Sequence, residues 1–460
     1  MTRHKILVVT PEVLGEAMAG PAIRAWHMAR ALAPHHDVHL VSTTRADRVD
    51  DAFPVSAGGD AELAALVRWC DVVVFQGWVL AGRPFLSTAG KVLVADLYDP
   101  MHLEQLEQAR DAGSEGRRAT VRNTTAVLND QLLRSDFFLC ASEDQRAFWL
   151  GHLAALGRVN PRVYDDDPTL RSLIDVVPFG IDDDPPARTA AGVKGVVPGI
   201  AADDKLVLWG GGIYNWFDPL TLIDAIDALR HRVTNVRLLF MGARHPNPEL
   251  PTMRMPVLAR QAAEERGLLD RHVFFNDGWV PYRDRQNVLL DADVGVSTHL
   301  ENIETLFAYR TRVLDYLWAG VPVVSTAGDA VSRLVDEHDL GLTVAPSDAR
   351  GLEHALETLI TDGDAARRCR GNIARIAPQL YWSAALQPLL RFCAAPRRAP
   401  DLVDPATAST LGEWPQVPDL GSGWRHDVRL VGRHLRDGGP ALLTRRISAR
   451  LRRSWSGGAR

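Results

Sequence analysis

The chain has 460 residues, 46% of them hydrophobic and 24% charged, with a formal net charge of −5. That length points to two or three folding units, and the composition excludes a collagen-like, low-complexity or wholly disordered chain. The acidic balance argues against nucleic-acid binding by the protein as a whole, and four cysteines with no paired spacing (Cys70, Cys140, Cys369, Cys393) form neither a disulfide framework nor a zinc cluster, which suits a reducing compartment.

At the N-terminus only Ile6–Val9 is an apolar run. A signal peptide needs about 7–15 apolar residues and a membrane span about 20, so the expected location is cytoplasmic, at most peripheral on the inner face of the plasma membrane. Ile6–Val9 reads as a buried strand, followed by a Pro/Gly loop (Pro11 to Pro21) and a helix with Ala22, Ala25, Trp26, Ala29 and Leu32 on one side. Val38–Val41, Asp71–Phe75 and Val92–Ala95 are further short apolar runs of the kind that form strands buried on both faces. Strands alternating with helices predict a doubly wound parallel α/β sheet.

A Pro/Ala/Gly-rich stretch from Pro185 to Pro198 interrupts the pattern, and residues 186–203 are expected to be a linker. The alternation then restarts, with strands at Leu206–Trp209, Val236–Met241, Val273–Phe275, Val294–Ser297 and Val321–Ser325. The expected organisation is two similar α/β halves, 1–185 and 204–377, whose sheets leave a crevice at the carboxyl ends of their strands. Residues 378–395 read as a helix crossing back to the first half, and 396–460 as a linker and tail. Ten arginines from Arg425 onward, with Leu443, Ile447, Leu451 and Trp455 four apart, describe a basic amphipathic helix. Such a helix is either a solvated tail or a contact for an anionic membrane surface through 425–455.

Two glycine loops follow strands: Gly15 to Gly20, and Gly210-Gly211-Gly212 ahead of a helix capped by Asp218 with Pro219 at its first position. Neither has the spacing of a dinucleotide fingerprint or a P-loop. A more informative stretch is 294–326, read as strand, polar loop, helix, Ala-Gly turn and strand. There Glu304 falls in the loop, Thr305, Leu306 and Phe307 lie near a helix start whose amides can meet an anion, and Arg310, Arg312 and Asp315 follow. A carboxylate beside free amides suits sugar hydroxyls and phosphate together; local Arg312–Asp315 pairing is the plainer alternative.

Together with "VPFGID" (Val177 to Asp182), "GLLDRHVFFNDGWV" (Gly267 to Val280) and "RVLDYLWAGVPVVST" (Arg312 to Thr326), this architecture resembles the retaining nucleotide-sugar glycosyltransferases of family 4, with the GT-B fold. The resemblance covers about residues 5–395 and is clearest in the second half. It implies two facing Rossmann-like domains, the first on the acceptor side and the second on the donor side, with a C-terminal crossover helix. It also implies a nucleoside-diphosphate sugar as co-substrate, no cofactor and no metal, and a glycan, lipid-linked or small-molecule acceptor.

In that family two glutamates separated by seven residues hold the donor. Asp315 falls at the second position, on the ribose, and Glu304 at the first, near the sugar, although here ten residues intervene. The resemblance further places amides of Thr305–Phe307 on the donor phosphates, Val280 on the nucleobase and Gly20 near the diphosphate. The family's basic pair after the first strand of the second half is missing: "GGGIYNWFDP" puts Gly212 and Phe217 at those positions, beside Gly211. Arg310 and Arg312, helped by Asn215, are then expected to compensate the phosphate charge.

On the acceptor side, "ADLYDPMHLE" (Ala95 to Glu104) offers Asp96, Asp99 and His102 where relatives carry an active-site histidine; Asp99-Pro100 also reads simply as a turn. Arg24, His27 and His245 are further acceptor-side candidates. The competing functions are a nucleotide-sugar epimerase of similar architecture, a non-catalytic partner protein on this scaffold, and a membrane-docked scaffold acting through its tail.

Overall fold

Among the described residues, thirteen strands form two parallel sheets. The first contains β1 (Lys5–Thr10), β2 (Asp37–Ser42), β3 (Val55–Ala57), β4 (Val72–Gln76), β5 (Val92–Asp96), β6 (Phe137–Cys140) and β7 (Ile174–Val176) in the order β3-β2-β1-β4-β5-β6-β7. The second contains β8 (Lys205–Trp209), β9 (Val236–Phe240), β10 (Val273–Phe275), β11 (Val294–Ser297), β12 (Val323–Thr326) and β13 (Gly341–Val344) in the order β10-β9-β8-β11-β12-β13. These are the same doubly wound order twice over, and the fold is GT-B. The computed structural model describes residues 2–110, 113–242 and 253–408, all within one compact unit, Met1–Trp414. The basic stretch 425–455 and His245 lie outside the described residues.

The central strands are β-branched runs buried on both faces: in β1 every residue after Lys5 is buried, and β4 is buried throughout. In each sheet the order reverses beside the first strand, between β1 and β4 and between β8 and β11. Loops leaving the carboxyl ends of strands on either side of such a reversal splay apart and make a ligand crevice.

Tyr316 ties the second crevice to its sheet. Its ring packs over Gly295, where a Cβ would come within 2.3 Å of it, so only glycine allows the approach. Its hydroxyl accepts a hydrogen bond from the Gly210 N–H at 2.6 Å and lies 2.9 Å from the carbonyls of Leu208 and Val296, one of which takes its proton. Tyr316→Phe strands the buried Gly210 N–H, and is expected to cost about 1–3 kcal/mol and to loosen the glycine loop. Denaturant unfolding and nucleotide titration of the variant check both effects.

The segment between the halves is not a free connector. Thr189 and Ala190 N–H donate to Asn287 Oδ1 at 2.9 and 3.1 Å, and Val193 and Lys194 N–H to Asp291 Oδ2 at 2.6 and 2.9 Å. The expected single helix over 378–395 is broken into the end of Gly363–Leu380, then Trp382–Ala385 and Gln387–Ala394. Tyr381 turns extended so that Ile181 can pair with the chain, its N–H bonding the Leu380 carbonyl and its own carbonyl the Trp382 N–H, both at 2.9 Å. Beyond the break the chain docks on the first sheet, with Phe392 stacked on Phe137 of β6 at 4.3 Å.

Residues 396–408, expected as linker, are folded instead. Ala399 N–H donates to Asp136, and Asp401 is wholly buried against Arg158. A partner charge inside the core holds this segment in place of apolar periodicity. Among the described residues no helix is long and apolar enough to cross a membrane, and all four cysteines are free and buried.

Candidate active site

The carboxyl ends of the two sheets enclose a cleft of about 430 Å³, within the range of small-molecule sites. Its second-half wall is built from Gly210–Gly212 after β8, Val280 after β10, and Arg310, Thr311, Arg312 and Asp315 after β11. The first-half wall comes from Glu12 and Gly20 after β1, Gln76 at the end of β4, and Asp99 and Glu104 after β5. At Gly20, which starts the helix Gly20–Leu32, a Cβ would lie 3.6 Å from the Tyr98 hydroxyl and 4.0 Å from Thr311 Oγ1, so the two walls meet there.

Arg312 is the most unusual group in the cleft. Its guanidinium is sandwiched 4.5 Å from the Trp209 ring and 4.0 Å from the Phe217 ring, and Nη2 donates to the Gly212 carbonyl at 2.8 Å. Nη1 is buried with no hydrogen-bond partner, and no carboxylate pairs with the side chain among the described residues. Burial without a counter-charge pulls its pKa down to about 10. Thr311 opens the helix Thr311–Trp318, which has no side-chain N-cap, so its first-turn amides carry the positive end of the helix dipole toward the cleft.

Arg310 also lines the cleft, but its charge is already neutralised. Glu304 accepts from Arg310 Nη1 and Nη2 at 3.0 and 2.7 Å, and Asp329 lies 3.7 Å from Nε. Glu304, expected near the donor sugar, is only 1% exposed, is not on the cleft wall, and holds Arg310.

The amides expected at Thr305–Phe307 are also off the cleft wall. They belong to a separate short helix, Ile303–Phe307, whose cap Asn302 takes the Thr305 N–H at 3.1 Å. Leu306 is 42% exposed, and Phe307 packs on Phe148 at 4.5 Å while its carbonyl accepts from Gln145 Nε2 at 2.7 Å. The helix start that faces the cleft is the next one, at Thr311. Asn215 is turned away too: its Oδ1 accepts from Arg254 and Met255 N–H at 3.0 and 3.1 Å and so caps the helix Arg254–Glu265.

Asp315 sits on the wall with one oxygen 3.0 Å from Arg285 Nε, and Arg285 in turn holds Asp182 at 2.6 Å and lies 3.7 Å from the Tyr282 ring. Gly211 has φ +75° with open space on its Cβ side, so the loop's backbone is bare toward the cleft. Val280 lies on the wall next to Trp279, against Gly242.

On the first-half wall Asp96 is locked by Arg24, whose Nε and Nη2 reach its two oxygens at 2.7 and 2.8 Å. Arg24, an acceptor-side candidate, is fully buried and donates to the carbonyls of Val177 and Pro178. His27 stacks on Trp382 at 4.6 Å behind the wall, and burial lowers its pKa to about 3. His102 is likewise off the wall, stacked on Phe148 at 5.3 Å; burial and then His152 bring its pKa down to about 4.

Asp99 remains on the wall. Burial raises its pKa to about 7, with Asp96 and Glu12 adding to the rise against Tyr98 and Arg24. A carboxyl whose folded pKa lies above its unfolded value keeps its proton in the fold longer, so stability falls as pH rises from about 4 toward 7. Asp99→Asn is therefore expected to gain thermal midpoint over the parent progressively across that window, with the two converging below it. Melting curves at stepped pH measure the difference.

Residues 204–362 match the family described as Glycosyl transferases group 1. No curated protein sequence matches the chain. Among solved structures, Anabaena Alr3699/HepE in complex with UDP and glucose is 17% identical, with TM-score 0.60 over 85% of this chain and 100% of its own. Sucrose-phosphate synthase from Thermosynechococcus elongatus is 16% identical, with TM-score 0.58 over 86% of this chain and 100% of its own. WaaG, a glycosyltransferase involved in lipopolysaccharide biosynthesis, is 18% identical, with TM-score 0.57 over 83% of this chain and 97% of its own. Within a chain with the GT-B fold, the second half thus carries the stretch, residues 204–362, that matches the glycosyl transferases group 1 family.

Proposed function

We propose that the protein transfers a glycosyl group from a nucleoside-diphosphate sugar to an acceptor hydroxyl, with retention at the anomeric carbon. The observation that carries this reading is Arg312, a buried cation with no counter-charge and a free Nη1, beside an uncapped helix start and a bare glycine loop. A protein gains nothing from burying an unpaired charge unless something arrives to pair with it. A diphosphate is the complementary group, and Asp315, one oxygen engaged with Arg285, keeps the other for ribose hydroxyls.

In this reading the bond between the anomeric carbon and the β-phosphate oxygen breaks as the acceptor oxygen bonds to that carbon from the same face. The acceptor proton passes to the departing phosphate oxygen. Arg312 and the amides at Thr311 stabilise the charge that builds there, and positioning does most of the remaining work. This charge arrangement needs no divalent ion, so turnover is expected to persist in chelator. Val280 borders the nucleobase, and Asp99 accepts a hydrogen bond that orients the acceptor.

Because HepE structures hold UDP or UDP-glucose, UDP is the first ligand to try. Calorimetric titration with UDP, GDP, TDP and their sugars is expected to show one nucleoside diphosphate binding with a single site. If none binds at millimolar concentration, the donor assignment is wrong.

A further inference from the structure

The two walls of the cleft carry opposite chemistry. The basic residues that line it among the described residues, Arg285, Arg310 and Arg312, all come from the second half. The first-half wall presents Glu12, Asp99 and Glu104, none of which has an ion-pair partner among the described residues, whereas the nearby Asp96 is fully paired with Arg24. Asp99 takes a hydrogen bond from the Tyr98 hydroxyl, whereas the side chains of Glu12 and Glu104 have no hydrogen-bond or ion-pair partner among the described residues. Gln76 adds to them independently: it is 3% exposed, its Nε2 is spent on Asp96 at 2.9 Å, and its Oε1 is buried on this wall with no donor.

A buried acceptor without a donor, such as Gln76 Oε1, is costly, and a donor-rich ligand that also reaches the half-buried carboxyls beside it relieves that cost. Resting on the donor-side reading above, we infer that the acceptor substrate carries an ammonium group, an amino sugar or aminocyclitol, which Glu12, Asp99, Glu104 and Gln76 Oε1 receive, and that phosphorylated acceptors are excluded. The electrostatics agree. Burial first, and Asp99 second, push the Glu104 carboxyl well above the usual range, and burial raises Glu12, so these carboxyls hold their protons more tightly than free ones and an entering cation draws them toward ionisation. A phosphate on the acceptor would meet three carboxyls and no free cation on that side.

The test uses the full chain with and without UDP. Glucosamine and 2-deoxystreptamine are titrated against N-acetylglucosamine, which differs from glucosamine by loss of the charge, and glucose 6-phosphate. At least one amine is expected to bind tenfold or more tighter than N-acetylglucosamine, with no binding of glucose 6-phosphate. Glu104→Gln and Glu12→Gln should each reduce that preference threefold or more while leaving UDP affinity unchanged. Equal affinity for the charged and acetylated sugars, binding of glucose 6-phosphate, or no amine binding while UDP binds would each overturn the inference. Loss of UDP binding with the amine preference intact would instead overturn the donor reading alone.

Discussion

Arg312→Ala is expected to weaken nucleoside-diphosphate binding by tenfold to a hundredfold or more while leaving the unliganded thermal midpoint nearly unchanged. A hydrogen bond to a charged group contributes about 1.5–3 kcal/mol, and the cleft around Arg312 is drier than a surface site. What makes the prediction sharp is the second half of it. Arg312 stacks 4.0 Å from Phe217 and 4.5 Å from Trp209, so its removal loses packing. Its burial without a carboxylate also burdens the unliganded fold, and deletion removes that burden. The two effects oppose each other in the apo protein and do not in the complex. Arg312→Lys should fall between parent and alanine, because an ammonium keeps the charge but loses the planar stacking and the fork of donors. A calorimetric titration beside apo melting curves decides the matter. Affinity within twofold of the parent, or a midpoint drop matching the loss of binding, would show that Arg312 is structural.

The sheets were legible in the sequence where strands are unbroken apolar runs, central or not. β1, β2, β4 and β5, and β8 through β12, are runs of β-branched and large apolar residues, and burial on both faces leaves them no alternation to obscure. β3, β7 and β13 escaped because VSA, IDV and GLTV break the apolar run with a polar residue on a half-buried edge, whereas the equally short edge strand β10, VFF, is wholly apolar. β6 escaped for a different reason: FFLC is apolar and interior but follows two residues after the long helix Ser114–Arg134, with no turn signal to separate the two in the sequence.

At the site, residue types were legible but partners were not. Arg310 and Arg312 read as equivalent cations two residues apart. The structure separates them, because the break at Ala308 between two short helices folds Glu304 back onto Arg310, six residues on, a spacing no continuous helix brings together. Asp315 owes its orientation to Arg285, thirty residues away, and Asp96 is spent on Arg24, seventy-two residues away. Glu12 and Glu104 were passed over as site residues for the same reason. Nothing local distinguishes a carboxylate that lacks a partner from one that has it, and only the packed cleft reveals the difference.

The other large effect expected is on stability, and it comes from the segment that composition suggested was a linker. Asp401→Ala should destabilise the fold by about 3–5 kcal/mol, the usual loss when one member of a buried ion pair is removed. Arg158 and Asp401 are both 0% exposed, with Nε–Oδ2 at 2.6 Å and Nη2–Oδ1 at 3.3 Å. Asn160 Nδ2 also reaches Oδ2 at 3.3 Å, and the remaining Arg158 donor bonds the carbonyls of Leu132 and Ser135. Without the carboxylate a guanidinium is left in the core beside Phe138, held only by carbonyl dipoles. Asp401→Asn should recover part of the loss by retaining one acceptor, and Arg158→Met with Asp401→Leu should recover more than either single change by removing the charge altogether. Urea unfolding of the parent and the three variants, with midpoints and slopes compared, ranks the losses. A single-variant loss below about 1 kcal/mol would mean that water reaches the pair, and that residues 396–408 dock too weakly to hold the crossover against the first sheet.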